Sequence, residues 1–286
     1  MKRVVQFLVL ISAFALYSNY ALAGSWKLHY KLKPGQVWIA TLHSQSETAF
    51  MGKKNITRTK TLIEYKVCPG PKKGWVSLKA RIKSQSGPSG QSGGQMDLSR
   101  LRFTADMHRS GEIRNIQYSG NPFPGMQANT KGMPAGMAAM YEQSSRMVAE
   151  AWKNAVFWFP ELPEDSLEIG DEFDVTRKMG AGGRTGGMEM QSVSKQLFTL
   201  EDVSEGLAYF TIRERTITRT GSPMGGKSDT KTAGKAKAVF DLHEGMWAEL
   251  AMKSRSRVQL GNMPGMSGGG THDVLQVSKY TVERKK

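Results

Sequence analysis

Two parts of the chain, about half its length apart, can be aligned at a nearly constant spacing. Leu32 to Trp38 matches Leu167 to Phe173, because each segment has a leucine, then a glycine, then an aromatic residue at intervals of three. Landmarks that keep their spacing favour two copies of one structural unit. The corresponding residues lie 132 to 135 positions apart, and they are Gly35 and Gly170, Gly74 and Gly206, and His108 and His243.

Most of the sequence alternates between apolar and polar residues. In residues 75–83 the even-numbered positions are apolar and most odd-numbered positions are polar, and residues 208–219 begin in the same way. Alternation with one polar side predicts half-buried strands in an antiparallel sheet. Similar β-rich segments are predicted at residues 26–32, 36–50, 56–68, 96–107, 171–178, 190–200, 234–242, 246–259 and 272–284.

Residues 136–156 break this pattern, because their apolar residues recur at spacings of three and four. That spacing predicts an amphipathic helix, which is either a connector packed on the sheets or a lid across whatever they enclose. We therefore expect a mainly β fold, with two related antiparallel curved sheets or half-barrels and one long connecting helix. The expected division is a signal peptide at 1–23, a first β unit at 24–128, a helical connector at 129–160 and a second β unit at 161–286.

The first 23 residues have the features of a secretion signal. Lys2 and Arg3 precede an apolar stretch, and Ala21-Leu22-Ala23 has the small-x-small pattern of a cleavage site. We expect an exported protein, with the periplasm favoured over the extracellular space. Cys68 is the only cysteine, so an intrachain disulfide is excluded and a buried, inert thiol is expected.

The chain is strongly basic. Its net charge is +15, and removal of the signal peptide takes away two basic and no acidic residues, which leaves +13. An exported basic protein favours acidic partners such as an anionic envelope surface, and nucleic acid is not expected. The alternative is a solvated charged face, which the even spread of lysine and arginine favours.

Several loops are rich in glycine, proline and methionine, and three interpretations compete. Flexible methionines can form an adaptable apolar rim for a lipid or a hydrophobic peptide. Thioethers are also soft ligands for Cu(I) or Ag(I). The third interpretation is a flexible linker without a ligand. The candidate metal ligands are Met188, Met190, Met263 and Met266.

Motifs for catalysis or nucleotide binding lack their usual contexts. Gly221 to Ser228 matches the phosphate-loop pattern, but the alternating segments on either side predict a hairpin. Asp106-x-His108 and Asp241-x-His243 supply too few donors for a metal site, and hydrogen bonds to the turns that follow explain them better. No serine or cysteine has a recognisable activating partner. We infer a non-enzymatic protein without a cofactor.

Two motifs carry a family resemblance. Tyr30 to Trp38, and Phe159-Pro160-x-Leu162-Pro163 followed by Leu167 to Phe173, resemble segments of uncharacterised secreted bacterial proteins built from duplicated antiparallel sheets. The resemblance covers most of the mature chain. The layout is also similar in fold to LolA/LolB-like half-barrel carriers of lipoproteins and lipids in the Gram-negative periplasm. This similarity implies an apolar cavity and no catalytic residues.

The sequence therefore predicts an exported binding protein for a hydrophobic or amphiphilic envelope molecule held between curved sheets. Basic outer residues would lie near anionic head groups. The alternatives are a Cu(I) or Ag(I) binder that uses the methionine-rich loops, and a structural envelope protein without a small ligand. The residues expected to face the ligand are Met137, Met140, Val148 and Trp152.

Overall fold

The computed structural model describes residues 24–50, 53–87, 96–123, 135–181, 189–221, 227–260 and 271–285. The predicted signal peptide lies outside these residues. Within these ranges there is one α-helix, α1 (Ala135–Val156), and one 3₁₀ turn (Leu98–Arg100). The strands are β1 (Val37–Phe50), β2 (Lys53–Pro69), β3 (Trp75–Ser86), β4 (Arg102–His108), β5 (Ile113–Ser119), β6 (Glu172–Ala181), β7 (Glu189–Ser204), β8 (Leu207–Gly221), β9 (Lys227–Asp241), β10 (Met246–Leu260) and β11 (Thr271–Arg284).

All eleven strands described belong to one sheet, in the order β5-β4-β3-β2-β1-β11-β10-β9-β8-β7-β6. The first and last strands pair with each other, from Trp38 opposite Arg284 to Thr48 opposite Val274. The mainly β, antiparallel character is confirmed. The expectation of two separate sheets is wrong, because β1 and β11 join the two halves into one continuous ladder.

The sheet remains open between β5 and β6. Every neighbouring pair in the described sheet is antiparallel, so strand direction alternates, and the two edges of an eleven-stranded sheet point the same way. The edges therefore cannot close the sheet by antiparallel pairing. The helix α1 lies between these strands in the chain and contacts both of them.

The hydrophobic core lies on one face of the sheet, called here the inner face, and at one end of the strands. Along β8, Ala208, Phe210 and Ile212 are buried, whereas their neighbours on the opposite, outer face are more accessible. Burial of large aromatic side chains supplies most of the hydrophobic stabilisation. The largest fully buried side chains include Trp247, Tyr65, Phe103, Phe198, Phe210 and Phe240.

Two irregular segments, residues 24–36 and 157–170, cover the core at this end. The Tyr30 hydroxyl donates to the carbonyl of Pro160 at 3.0 Å and accepts from Nε1 of Trp247 at 2.8 Å. One buried hydroxyl thus connects both segments to β10. Such a group is stable in the core only because its donor and acceptor roles are both used.

Residues 26–32 do not form the strand that alternation predicts. They are extended and bury Leu28 and Tyr30, but their only strand-like pairing is an isolated bridge between Trp26 and Leu167. The backbone N–H of Tyr30 donates to the carbonyl of Arg109 at 2.8 Å, and Arg109 lies in a turn and not in a strand. The segment runs across the end of the sheet. Its alternating apolar and polar residues therefore reflect burial of one side, without pairing to a neighbouring strand.

Beyond the core, the inner face becomes polar. The buried run on β8 ends at Ile212, and hydroxyl groups then pair between neighbouring strands. The oxygens of Ser192 and Thr218 are 2.8 Å apart, and those of Thr232 and Ser256 are also 2.8 Å apart. Cross-strand hydroxyl pairs stabilise a sheet without an apolar face. The apolar face that alternation predicts along whole strands is therefore confined to the end of the sheet that holds the core.

The repeat landmarks occupy corresponding places in the two halves. Gly35 and Gly170 have φ of +92° and +94°, and each precedes the first strand of its half. Gly35 N donates to the carbonyl of Val67 at 2.9 Å, and Gly170 N donates to that of Leu200 at 2.8 Å. Each bond ties the entry turn to the end of the second strand of its half, in β2 and β7.

The second pair of landmarks behaves in the same way. Gly74 and Gly206 have φ of +82° and +79° in the β2–β3 and β7–β8 turns. A Cβ added to either glycine would contact a histidine ring, His108 in the first half and His243 in the second. Common ancestry of the halves, and the domain division drawn from it, stay predictions.

We expect Gly35→Ala and Gly170→Ala each to lower the free energy of unfolding by about 1–2 kcal/mol, because a Cβ is strained in the left-handed region. Neither glycine has an atom within 4 Å of the added Cβ, so crowding makes no contribution. Gly221→Ala is the control, since it also has open space but no positive φ. Urea unfolding followed by tryptophan fluorescence measures all three. A loss at only one of the two turns would contradict their equivalence.

Because several tyrosines are buried, we expect the free energy of unfolding to fall at alkaline pH. Burial raises the pKa of Tyr280 to about 12, and it raises the pKa of Tyr65 well above its ordinary value. A raised pKa in the folded state stabilises the protein fully below pH 10, and this contribution is lost as pH rises towards the folded pKa. Above pH 10, stability should fall by up to about 1.4 kcal/mol per pH unit for each such tyrosine.

Tyr280→Phe removes one of these groups while Tyr65 still donates to the carbonyl of Val156 at 2.6 Å. Between pH 10 and about pH 12, the variant should therefore lose stability less steeply than the parent protein. Urea unfolding at a series of alkaline pH values measures the two slopes. Identical slopes would show that the Tyr280 hydroxyl ionises as readily in the folded protein as in the unfolded chain.

Candidate functional site: a row of cations on the outer face

Three positive side chains stand directly opposite one another across three neighbouring strands. Arg213 of β8 pairs in register with Lys235 of β9, and Lys235 pairs with Lys253 of β10. All three are exposed on the outer face. We call these residues the cationic row. The sheet register creates it, because the three residues are widely separated in sequence.

Like charges directly opposite each other destabilise a sheet. The first half of the protein shows the opposite arrangement at a comparable place, where Glu64 of β2 and Arg81 of β3 are paired in register and bonded at 2.6 Å. Like charges also face each other in register elsewhere in the sheet, and the cationic row extends this arrangement over three neighbouring strands. The other pairs are Lys66 and Lys79, Arg81 and Arg102, Lys195 and Arg215, and Lys231 and Arg257. Positive charges that repel one another in the free protein gain most when an anion binds between them.

Carboxylates only partly neutralise the cationic row. Glu172 bonds Arg213 at 2.9 Å, and both side chains are exposed. No carboxylate of the described residues lies within the 4.0 Å ion-pair distance of Lys235 or Lys253. Exposed ion pairs contribute little free energy. Lys235 and Lys253 can therefore bind an incoming anion without first breaking an ion pair to the described chain.

Two adjoining grooves lie along the cationic row, and all three of its residues line both. The first groove has a volume of about 750 Å³ and the second about 730 Å³. Volumes of this size suit small-molecule ligands. The outer-face residues that complete the first groove include Arg215, Ala233, Arg255 and Leu275, and those of the second include Thr211, Lys237, Ala251, Val277 and Lys279.

The grooves also have apolar parts. Val277 lies opposite Lys253 on β11, and 44% of its surface is exposed. Leu275 lies opposite Arg255 in the same way, and Ala251 leaves open space between Lys237 and Lys279. Aliphatic stems of lysine and arginine add to such surfaces while their charged ends stay in water. The grooves thus combine cations with aliphatic surface. Carboxylates also line them, namely Glu47, Glu214 and Asp273 in the first groove and Glu172 and Glu201 in the second.

The residues predicted to face a ligand are placed differently. Val148 and Trp152 of α1 are partly buried and pack against the hydrophobic core. Met137 and Met140 lie on the first turns of α1, but their side chains are outside the described part of the structure. Their role in ligand binding stays a prediction.

Of the four predicted methionine ligands, only Met190 lies within the described residues. Met190 lies in β7, opposite Thr220 of β8. Met188, Met263 and Met266 lie outside the described residues. Within the described ranges, no group of three or more histidine, cysteine, aspartate or glutamate side chains is arranged to hold a metal ion. The copper hypothesis, which depends on thioethers, stays a prediction.

The two Asp-x-His pairs have different partners. Asp241 accepts hydrogen bonds from the backbone N–H groups of His243 and Glu244 at 2.8 and 2.9 Å, so the predicted turn role is confirmed there. In the first pair His108 Nδ1 accepts from the backbone N–H of Ser110 in the turn at 3.4 Å, whereas Asp106 does not bond to the turn. Hydrogen bonds from Ser77 at 2.6 Å and Asn115 at 2.9 Å lower the pKa of Asp106 and fix it against the neighbouring strands.

The phosphate-loop match has strands on both sides. Gly221 ends β8, Lys227 begins β9, and the two strands pair antiparallel. A phosphate loop requires a helix N-terminus after the glycines. The hairpin interpretation is confirmed by these strands, while residues 222–226 lie outside the described part.

Comparison with known proteins finds no match to any protein-family model and no match among curated proteins. Among solved structures, the chain is similar to an outer membrane channel from Pseudomonas putida F1, at 11% identity and a TM-score of 0.28 over 89% of this chain and 97% of that one. It is also similar to Ail, the attachment invasion locus protein of Yersinia pestis, at 6% identity and a TM-score of 0.19 over 88% and 100%. A mutant porin of Rh. blastica gives 7% identity and a TM-score of 0.27 over 86% and 99%.

These neighbours are named as an outer membrane channel, an attachment invasion protein and a porin. At such TM-scores the similarity carries no argument about function. The LolA/LolB-like proteins of the fold analogy are not among the neighbours found. Within the described residues, no helix combines the length and the apolar character needed to cross a membrane.

Lys235→Gln should leave the free energy of unfolding unchanged or raise it by up to about 1 kcal/mol at low salt, because it removes the central charge of the cationic row. The gain should shrink at high salt, where charges are screened. Arg81→Gln is the contrasting control, since it removes the partner of Glu64, whose side chain is only 7% exposed, and should destabilise. Urea unfolding at two salt concentrations measures both. A loss of stability in Lys235→Gln would contradict repulsion in the row.

Proposed function

We propose that this protein is an exported, non-enzymatic binding protein for an anionic amphiphile of the cell envelope. The cationic row binds the negatively charged head group, and the aliphatic parts of the grooves receive the adjoining hydrocarbon. The observation that carries this proposal is the direct register of Arg213, Lys235 and Lys253, of which two have no carboxylate within 4.0 Å in the described chain.

The side chains that line the grooves favour an anionic amphiphile over two other kinds of anion, which are single-stranded nucleic acid and a simple inorganic anion. Proteins that bind single-stranded nucleic acid combine cations with aromatic side chains on which bases stack. The residues lining both grooves include no aromatic side chain. A simple inorganic anion would use the cations alone and leave Val277 and Leu275 unexplained. An acyl chain attached to a phosphate matches both kinds of surface.

The proposal places the ligand on the outer face instead of between the sheets. Val148 and Trp152 already pack against the core, and the inner face beyond the core carries hydroxyl groups. Neither arrangement suits a hydrocarbon chain. The predicted contact between basic outer residues and anionic head groups is kept, and it becomes the main interaction.

Binding to lipid vesicles tests the proposal. The mature protein should co-float with vesicles of phosphatidylcholine and phosphatidylglycerol, and not with vesicles of phosphatidylcholine alone. Each basic residue at an anionic surface contributes about 1 kcal/mol. The triple variant Arg213→Gln, Lys235→Gln, Lys253→Gln should therefore bind up to about a hundredfold more weakly at low salt.

The matched control is Lys33→Gln, Lys66→Gln, Lys79→Gln, which removes the same net charge from three exposed lysines outside the grooves. Equal weakening in both triple variants would mean that only the overall charge matters and would contradict a site at the row. A short-chain phosphatidate that stays monomeric separates binding of one amphiphile from adhesion to a surface. It should bind the parent protein more tightly than inorganic phosphate does.

A further inference from the structure

A second cavity lies at the open seam of the sheet, between β5 and β6 and next to the end of α1. Its volume is about 310 Å³. Its apolar walls come from the segment after the helix and from both edge strands. The residues with aromatic or branched aliphatic side chains that line it are Phe157, Phe159, Ile113, Ile116 and Val175.

Arg177 is a partly buried cation that lines this cavity. Arg177 lies on the inner face of β6, two residues from the buried Val175, and is itself partly buried. Its guanidinium lies 6.0 Å from the ring centroid of Trp158. Within the described residues, no carboxylate lies inside the 4.0 Å ion-pair distance of Arg177. Burial lowers the pKa of Arg177, which is the expected effect of removing a charge from water.

The other charged groups at the cavity do not supply the missing anion. Lys153 is paired with Glu150 at 2.6 Å, and Lys178 adds a further positive charge at the exposed side. Glu161 at the cavity and Glu214 of β8 favour the charged form of Arg177 electrostatically, but both lie beyond ion-pair distance of it. A partly buried guanidinium without a hydrogen-bonded partner has lost hydration that no protein group replaces, so an anion that reached Arg177 would gain charge-assisted hydrogen bonds.

The size and walls of the cavity define the rest of the ligand. A volume of about 310 Å³ is at the lower end of the range for small-molecule sites. The aromatic and branched side chains favour an apolar body. The guanidinium favours a flat carboxylate, because its two parallel N–H groups match two oxygens.

We propose that the seam between β5 and β6 is a binding site for a small monocarboxylate with a short aliphatic or aromatic body, and that Arg177 binds the carboxylate. This site is separate from the cationic grooves, and it does not depend on the proposed function. The cavity lies where the edge strands β5 and β6 are not paired and the segment after α1 fills the gap only in part.

Octanoate is the probe, and octanol is the control of equal chain length without the charge. The full mature protein should bind octanoate at least about tenfold more tightly than octanol, measured by calorimetry, since hydrogen bonds between charged groups are the strong ones. Arg177→Met should reduce octanoate binding by about tenfold or more and leave octanol binding unchanged. Arg177→Lys should retain part of the affinity. Lys195→Met, on the exposed face of the neighbouring strand, should bind octanoate like the parent protein.

Methyl NMR spectra locate the bound octanoate. When octanoate is added, the methyl signals of Ile113, Ile116 and Val175 should shift. The variant lacking the cationic row should still bind octanoate, and Arg177→Met should still bind anionic vesicles, so this proposal and the proposed function can fail separately. Equal affinity for octanoate and octanol in the parent protein would overturn the seam site even if Arg177→Met did not fold. Shifts confined to β8–β11 would also overturn it.

Discussion

Eleven antiparallel strands in the described chain leave a sheet whose two edges point the same way, and most of the structure follows from this constraint. The strands β5 and β6 cannot pair antiparallel, and in this structure the sheet is open between them. The helix α1 contacts both strands at this opening, and the segment that follows it packs into the core. The pairing of β1 with β11 completes the arrangement by joining the two ends of the chain. It makes one sheet out of two halves and leaves a single seam.

The two faces of this sheet carry different chemistry. On the inner face, aromatic side chains fill one end, where the Tyr30 hydroxyl links the two covering segments to Trp247. Towards the other end, the inner face carries hydroxyl groups that are paired between neighbouring strands. On the outer face, the register brings three cations together beside exposed aliphatic side chains. A core at one end is sufficient to hold long strands in place, and the outer surface of those strands is then free to bind a ligand.

Local alternation predicted much of this fold. The alternating runs at residues 75–83 and 208–219 lie within β3 and β8, and the positions of the turn glycines were visible as a constant spacing. The strand β5 was missed for a physical reason. Asn115 has φ of +52° and the pairing register shifts beside it, so Ile113 and Ile116 share a cavity although they are three residues apart. Apolar residues three positions apart do not match the alternation of period two that predicts a strand.

The candidate site could not be predicted in the same way. Arg213, Lys235 and Lys253 come from three strands, and only the register shows that they are opposite one another. The sequence offered a weak signal in the odd-numbered positions of these strands, where lysine and arginine recur, but a solvated face has the same pattern. Arg177 was equally hidden, because an arginine in an alternating strand is normally exposed. In both cases the pairing of strands decides the environment of the charge.

Backbone NMR shift mapping with a monomeric short-chain phosphatidate tests the central claim most directly. The account predicts that the amide signals of β8, β9 and β10 around Arg213, Lys235 and Lys253 shift, with further shifts at Val277 of β11. Shifts concentrated on the inner face or on α1, with the signals of the cationic row unchanged, would contradict it.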